Sequence, residues 1–276
     1  MQFQIQNKYK LNIFTHKIQN PIGILIHIPG LGGNFQVNYN CIRDFSERVK
    51  LLSKIGIKSY GLELRGHGKS SGLNASIDSF DEYLDDLNKL VKYIKKYHID
   101  LPIYILGESM GASIAIKYSM KKKYKIAGII SISPICGTPK HYYLFYSIIY
   151  LILLTSYIFP KWGIYMKQPN IKFKDKSLIR LETAREYYNS VQWIEKHMFM
   201  FTIPIIVFQS ESDIITCPIT TKDFLNNCSS IDKKLVLYKD VCHSLLIPQT
   251  STDKTPNKIF NKICSWLHNK NKNITQ

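Results

Sequence analysis

Gly107-Glu108-Ser109-Met110-Gly111 decides the reading of this chain. The pentapeptide follows an apolar run, Ile103 to Leu106, and precedes a helix-like stretch, Ala112 to Met120, so strand, sharp turn and helix come in that order. In such a turn the strained backbone lifts a serine hydroxyl clear of the chain. The two glycines remove side chains that would collide where strand and helix approach. The helix N-terminus and the Met110 N–H then face developing negative charge. Ser109 is the candidate nucleophile and Met110 a candidate oxyanion donor.

A serine hydroxyl needs a base at neutral pH. The chain order that goes with this turn is nucleophile, acid, histidine, which leaves His141, His197, His243 and His268 downstream. Only His243 follows a strand-like run, Leu235 to Tyr238, in a short loop from which its ring can reach the turn. The acid that orients the base belongs at the end of another strand. Asp213 holds that place after the run Ile205 to Gln209 and is the preferred acid. Glu211 and Asp240 are the alternatives, Asp240 being close in sequence to His243 for a bond to Nδ1 from behind. A second oxyanion donor is expected from His27-Ile28-Pro29-Gly30-Leu31-Gly32-Gly33, where glycines let backbone approach substrate, with the Leu31 N–H preferred.

Outward from these motifs, strand-like runs over 23–28, 58–63, 103–106, 126–132, 205–209 and 234–238 alternate with helical spacings. Ile42, Phe45, Val49 and Leu52 form one apolar face; Phe80, Tyr83, Leu84, Leu87, Leu90, Val91 and Ile94 form another. The alternation predicts βαβ units and a mostly parallel sheet flanked by helices. Segments 3–6 and 10–14 are predicted to extend it as an antiparallel edge hairpin. Between 135 and 197 the alternation lapses, and no strand is expected before Phe201. That stretch is predicted to be a helical cap inserted between core segments 1–134 and 198–276.

Within the cap, 142–159 (YYLFYSIIYLILLTSYIF) runs without a charge, at the lower limit for a helix that spans a bilayer. A single span would put the core segments before and after it on opposite sides of a membrane. The stretch is therefore read as a helix that lines an acyl pocket or dips into a membrane surface, with Leu151 and Leu154 on that working face. Lys plus Arg number 37 against 20 Asp plus Glu, a net charge of +17 that suits anionic headgroups. Lys dominates and no basic-aromatic motif appears, so no nucleic-acid partner is expected.

Two resemblances to phosphate loops fail. Gly66-His67-Gly68-Lys69-Ser70 has Glu63 where a P-loop's first glycine belongs, and Gly30-Leu31-Gly32-Gly33-Asn34-Phe35 has Phe35 where a dinucleotide fingerprint ends in glycine. Cys41, Cys136, Cys217, Cys228, Cys242 and Cys264 show no CxxC pairing, so neither a zinc site nor a disulfide framework is expected, and no cofactor is implied. The N-terminal MQFQIQNKYKLNIF lacks a signal-peptide pattern, which predicts a cytoplasmic protein.

Five segments in order resemble the monoacylglycerol lipase and lysophospholipase branch of the α/β-hydrolases, the serine aminopeptidase S33-like or hydrolase-4 group. They are Pro29 to Gly32, Glu63 to Gly72 (ELRGHGKSSG), the GESMGAS turn, Ser210 to Ile215 (SESDII) and Val241 to Leu246 (VCHSLL). The resemblance covers nearly all the chain outside the cap. It implies an α/β-hydrolase fold, a Ser109, Asp213, His243 triad, and a lipid or small-ester substrate, most nearly a lysophospholipid or monoacylglycerol. It also implies that His67 is a structural turn residue. A short-ester carboxylesterase, a thioesterase or a non-catalytic lipid-binding protein are the alternatives. The chain departs from the family at Pro29, where His is usual, at Glu63, where Asp is usual, and at Ser244, often acidic.

Overall fold

The computed structural model describes residues 2–5, 10–35, 44–121, 124–138, 143–167, 176–239 and 241–275. In chain order the first half gives β1 (Gln2–Ile5), β2 (Leu11–Thr15), β3 (Gly23–Ile28), α1 (Phe45–Ser53), β4 (Ile57–Glu63), α2 (Asp81–Tyr97), β5 (Ile103–Glu108), α3 (Met110–Lys121) and β6 (Gly128–Ile132). The second half gives α4 (Tyr143–Ile158), β7 (Gly163–Lys167), β8 (Lys176–Arg180), α5 (Leu181–Lys196), β9 (Ile205–Ser210), α6 (Pro218–Asn227), β10 (Lys233–Tyr238) and α7 (Thr255–Thr275).

Eight strands form one sheet in the order β1-β2-β4-β3-β5-β6-β9-β10. From β4 to β10 every pairing is parallel, whereas β1 with β2 and β2 with β4 are antiparallel. This is the α/β-hydrolase architecture that the sequence predicts, the edge hairpin included. Strands β3, β6 and β9 are buried along their whole length, as befits a parallel sheet covered on both faces. Alternate residues feed two cores. Ile24, Ile26, Ile105 and Ile129 pack with Leu84, Leu87, Val91 and Ile94 of α2 and Ile114 of α3. Leu25, Tyr104, Leu106 and Ile130 pack with Leu52 of α1 and with Ile259, Phe260 and Ile263 of α7.

Two sequence expectations need correction. The 135–197 segment contains a strand pair, β7 antiparallel to β8, where no strand was expected before Phe201. Its pairing joins residues nine to seventeen apart, so no local alternation announced it. Leu151 and Leu154 do not face a pocket: they are 62% and 67% exposed, while Ile149, Ile152 and Leu153 turn inward. A stretch that is apolar on all sides has no periodicity from which to choose the inner face. No helix among the described residues is long and apolar enough to cross a membrane. Ile42, expected to open the first helix, lies outside the described residues.

Two buried charged groups near the sheet's end, Glu63 and Arg65, are held by several hydrogen bonds each. The carboxylate of Glu63, 0% exposed, accepts from Asn12 Nδ2 at 2.6 Å, Lys69 N at 2.8 Å and Phe35 N at 3.1 Å. A Cβ on Gly68, which sits at φ +55°, would lie 2.2 Å from that carboxyl carbon, so the bare glycine makes room for the longer acid. His67 Nδ1–H donates to the Arg65 carbonyl at 2.9 Å, a turn bond. Arg65 bonds Asp86 through Nε at 2.9 Å and Nη2 at 2.6 Å, clamping the turn to α2. Arg65→Met would leave the Asp86 carboxylate, which is 0% exposed, with the backbone N–H of residue 65 at 3.3 Å and Lys89 Nζ at 3.7 Å in place of the guanidinium. It is expected to cost about 3–5 kcal/mol in urea denaturation, and Arg65→Met/Asp86→Leu to recover much of that loss.

Candidate active site

Five strand ends supply the site. Register sets Ile28 beside Gly107, Glu108 beside Ile132, Ile132 beside Phe208 and Tyr238 beside Ser210. The loops that follow β3, β5, β6, β9 and β10 therefore open along one edge, the carboxyl edge where parallel sheets bind ligands.

Ser109 lies between β5 and α3 at φ +52°, a left-handed conformation that side chains rarely adopt. Its N–H donates to the Ile132 carbonyl at 2.8 Å, and its carbonyl accepts from Ala112 N at 2.9 Å. The packing leaves no alternative path. A Cβ on Gly107 would stand 2.4 Å from the Gly111 carbonyl oxygen, and one on Gly111 would stand 2.3 Å from the Ile28 carbonyl oxygen. Met110, next in the chain, is the first residue of α3, which puts its N–H at the helix start. The loop after β3 closes a turn through Gly33 N to Gly30 O at 3.0 Å, with Leu31 at its corner. A Cβ on Gly30 would be 3.2 Å from Ser109 Cβ, so this loop lies directly against the serine.

His243 and Asp213 meet. The His243 Nδ1–H donates to Asp213 Oδ2 at 2.8 Å, and the carboxylate also accepts from Thr216 Oγ1 at 2.6 Å, Thr216 N at 2.9 Å, Ile215 N at 2.9 Å and Gln209 Nε2 at 3.1 Å. Burial raises the Asp213 carboxyl pKa. The His243 bond and charge, with the Thr216 donors, outweigh that and hold it below the ordinary value. Ser133 Oγ donates to the His243 carbonyl at 2.9 Å, one residue beyond the Ile132 carbonyl that holds Ser109. The end of β6 thus ties the serine turn to the histidine loop. Among the described residues Ser109 Oγ makes no hydrogen bond, so the serine and histidine side chains are not brought to bonding distance. Such contacts commonly tighten only when substrate binds.

Of the other acids, Glu211 has an exposed side chain and is held only through its N–H to the Tyr238 carbonyl at 2.9 Å. Asp240 lies outside the described residues. The supporting donors Gln209, Thr216 and Ser133 were not read from sequence; of these only Thr216, three residues after Asp213 in a turn, carried a local signal.

Beside the acid loop opens a cavity of about 1270 Å³. Ile149, Ile152 and Leu153 of α4, Tyr187 and Val191 of α5, and Ile214, Ile215 and Ile219 line it, and Asp213 reaches it while Ser109 and His243 do not. Helix α5 is fixed over the core by Tyr187, stacked on Phe80 at 5.5 Å, and by Trp193 under the Lys117 and Lys121 ammonium groups.

A strained serine between a parallel strand and its helix, with a His–Asp pair at the ends of neighbouring strands, defines an α/β-hydrolase. The serine aminopeptidase S33 (hydrolase-4) family matches residues 39–249, and the chain belongs to it. It is 24% identical over 247 residues to caffeoylshikimate esterase of Arabidopsis thaliana, covering 82% of this chain and 73% of that protein. It is 21% identical over 237 residues to monoglyceride lipase of Rattus norvegicus, covering 81% and 77% respectively. A solved soluble variant of Saccharomyces cerevisiae monoglyceride lipase, bound to a substrate analogue, superposes with a TM-score of 0.82 at 21% identity, over 98% of this chain and 94% of that one. Fold and family make the protein an ester-hydrolysing α/β-hydrolase.

The lowered Asp213 pKa has a sign that can be measured. Its stabilisation is complete above the unfolded value of 3.8 and is lost as pH falls through the lower folded value. The stability difference between wild type and Asp213→Asn in denaturant is therefore expected to shrink as pH falls below about 4.

Proposed function

We propose that the protein is a serine esterase that releases a long acyl chain from a monoacylglycerol or lysophospholipid-like ester, with Ser109, Asp213 and His243 as its triad. The 2.8 Å bond between His243 and Asp213, on the same sheet edge as the strained Ser109, carries this reading. His243 takes the Ser109 proton as the hydroxyl attacks the ester carbonyl, and Asp213 holds the imidazole tautomer and balances the imidazolium. The Leu31 and Met110 N–H groups receive the oxyanion. His243 then protonates the leaving alcohol and activates the water that clears the acyl-enzyme.

Residues 135–197 serve as a cap, and the cavity beneath α4 and α5 takes the lipid tail. At about 1270 Å³ it exceeds the roughly 300–1,000 Å³ of small-molecule pockets and is walled mainly by Ile, Leu, Val and Tyr. Its charged lining is acidic, with Glu195, Glu211, Asp213 and Asp223 against Lys222, which favours a neutral or zwitterionic head group over an anionic one. On the outside of the cap, Tyr150, Leu151, Leu154, Tyr157, Ile158 and Phe159 are exposed. Such a patch on a cationic protein suits peripheral contact with a lipid surface.

A fluorophosphonate probe is expected to label wild type and not Ser109→Ala, and that variant should lose several orders of magnitude in kcat while keeping its melting temperature. Labelling of folded Ser109→Ala, or esterase turnover by it, overturns the assignment. The two faces of α4 should separate. Ile152→Asp with Leu153→Asp should reduce kcat/KM for a long-chain ester far more than for an acetyl ester, because each buried methylene contributes about 0.8 kcal/mol. Leu151→Asp with Leu154→Asp should instead abolish flotation with anionic vesicles and spare hydrolysis of dissolved esters.

A further inference from the structure

The residue before the proposed nucleophile is a glutamate whose charge is matched from a distant helix. Arg48 of α1 is 1% exposed, and its Nη2 donates to Glu108 Oε1 at 2.6 Å; the Glu108 side chain is 18% exposed. No other ion pair involves Glu108 among the described residues. Glu108 closes β5, and its carbonyl oxygen would be 3.3 Å from a Cβ on Gly30, so the backbone of the glutamate stands at the junction of serine turn and oxyanion loop. An unmatched carboxylate on the residue next to Ser109 would oppose the negative charge that forms on the substrate oxygen.

We propose that Arg48 is an electrostatic positioning residue: it neutralises Glu108, so that the field at the oxyanion loop is set by the Leu31 and Met110 N–H groups and not by a carboxylate. The proposal rests on Ser109 being the nucleophile. His27, also beside Arg48, cannot take over the role. His27 of β3 is 0% exposed with its ring 5.5 Å from Phe45, and burial, reinforced by the Arg48 charge, holds its pKa well below the usual histidine value. The pair could instead be a mechanical clamp that joins α1 to β5. A clamp and a charge shield differ in what rescues them.

The test compares Arg48→Met, Arg48→Met/Glu108→Met and Arg48→Lys with wild type, using a soluble activated ester. Fluorophosphonate labelling of wild type, absent in Ser109→Ala, first establishes the nucleophile; if wild type is not labelled, the reading of Ser109 fails and the proposal falls with it, whereas labelled wild type leaves the Arg48 variants to decide the proposal alone. Arg48→Met leaves the carboxylate unmatched and should lower kcat at least about thirtyfold with KM within about twofold, the scale on which oxyanion stabilisation acts. Arg48→Lys keeps the charge and should stay within about threefold of wild type. The double variant removes both charges in favour of apolar side chains of similar volume, a change that folded proteins tolerate, and should return kcat to within about threefold of wild type. A folded Arg48→Met at wild-type kcat overturns the proposal. So does a double variant as slow as Arg48→Met, the outcome of a clamp. If Arg48→Met does not fold, the double variant decides alone: kcat within about threefold of wild type supports the charge shield, and a loss of thirtyfold or more overturns it.

Discussion

The site rests on one close approach, between the end of β5, the start of α3 and the end of β3. With Gly107 and Gly111 bare, the Gly111 backbone comes against the Ile28 and Pro29 carbonyls, and the chain has room to reverse only if residue 109 takes φ +52°. A non-glycine residue in that region costs on the order of 1–3 kcal/mol and persists only where its surroundings over-determine it. Here they do. The Ser109 N–H is held by Ile132 and its carbonyl by Ala112 and Ser113, while Met110, Ile114 and Ala115 are sunk in the core. Loosening the approach would relax the serine, detach the oxyanion loop from its side and misalign the helix start together.

The remaining site groups follow from the same sheet. Parallel pairing from β4 to β10 sends every strand's carboxyl end to one edge, so residues 30, 109, 133, 213 and 243 become neighbours without any local signal between them. Burying charges along that edge is tolerated because each is matched: Asp213 by five donors, Glu63 by three, Arg65 by Asp86 and Glu82. Under the proposed mechanism rigid matching also serves chemistry, since a base oriented through a fixed carboxylate does not have to be ordered at the moment of reaction.

The segment above the edge obeys a different rule. Helix α4 is apolar on both sides, one turned to the cavity and one to the outside, and is attached through α5. Polar ties hold α5 and the end of β8 to the core loop after the RGHG turn, with Thr183 Oγ1 donating to the Ala75 carbonyl at 2.8 Å and Arg180 Nε to the Asn74 carbonyl at 2.7 Å. Hydrophobicity alone cannot distinguish a wall of a lipid cavity from a surface that meets lipid, because both are the same chemistry facing different volumes.

By itself the sequence determined the parallel sheet and the serine turn, and it singled out His243 as the candidate base. Each is written locally: apolar runs of strand length between helical spacings, two glycines around a serine, a histidine just beyond a strand. Asp213 was legible as a strand-end acid, but the bond that distinguishes it from Glu211 formed only when β9 and β10 paired in register. Only tertiary structure decided that Leu151 and Leu154 face outward, since an evenly apolar helix has no periodicity to read. The β7–β8 pair was hidden because pairing between two separate segments leaves no mark in either one. Arg48 was hidden for the same reason. A charged residue on an amphipathic helix reads as solvent-facing until a carboxylate sixty residues away is folded against it.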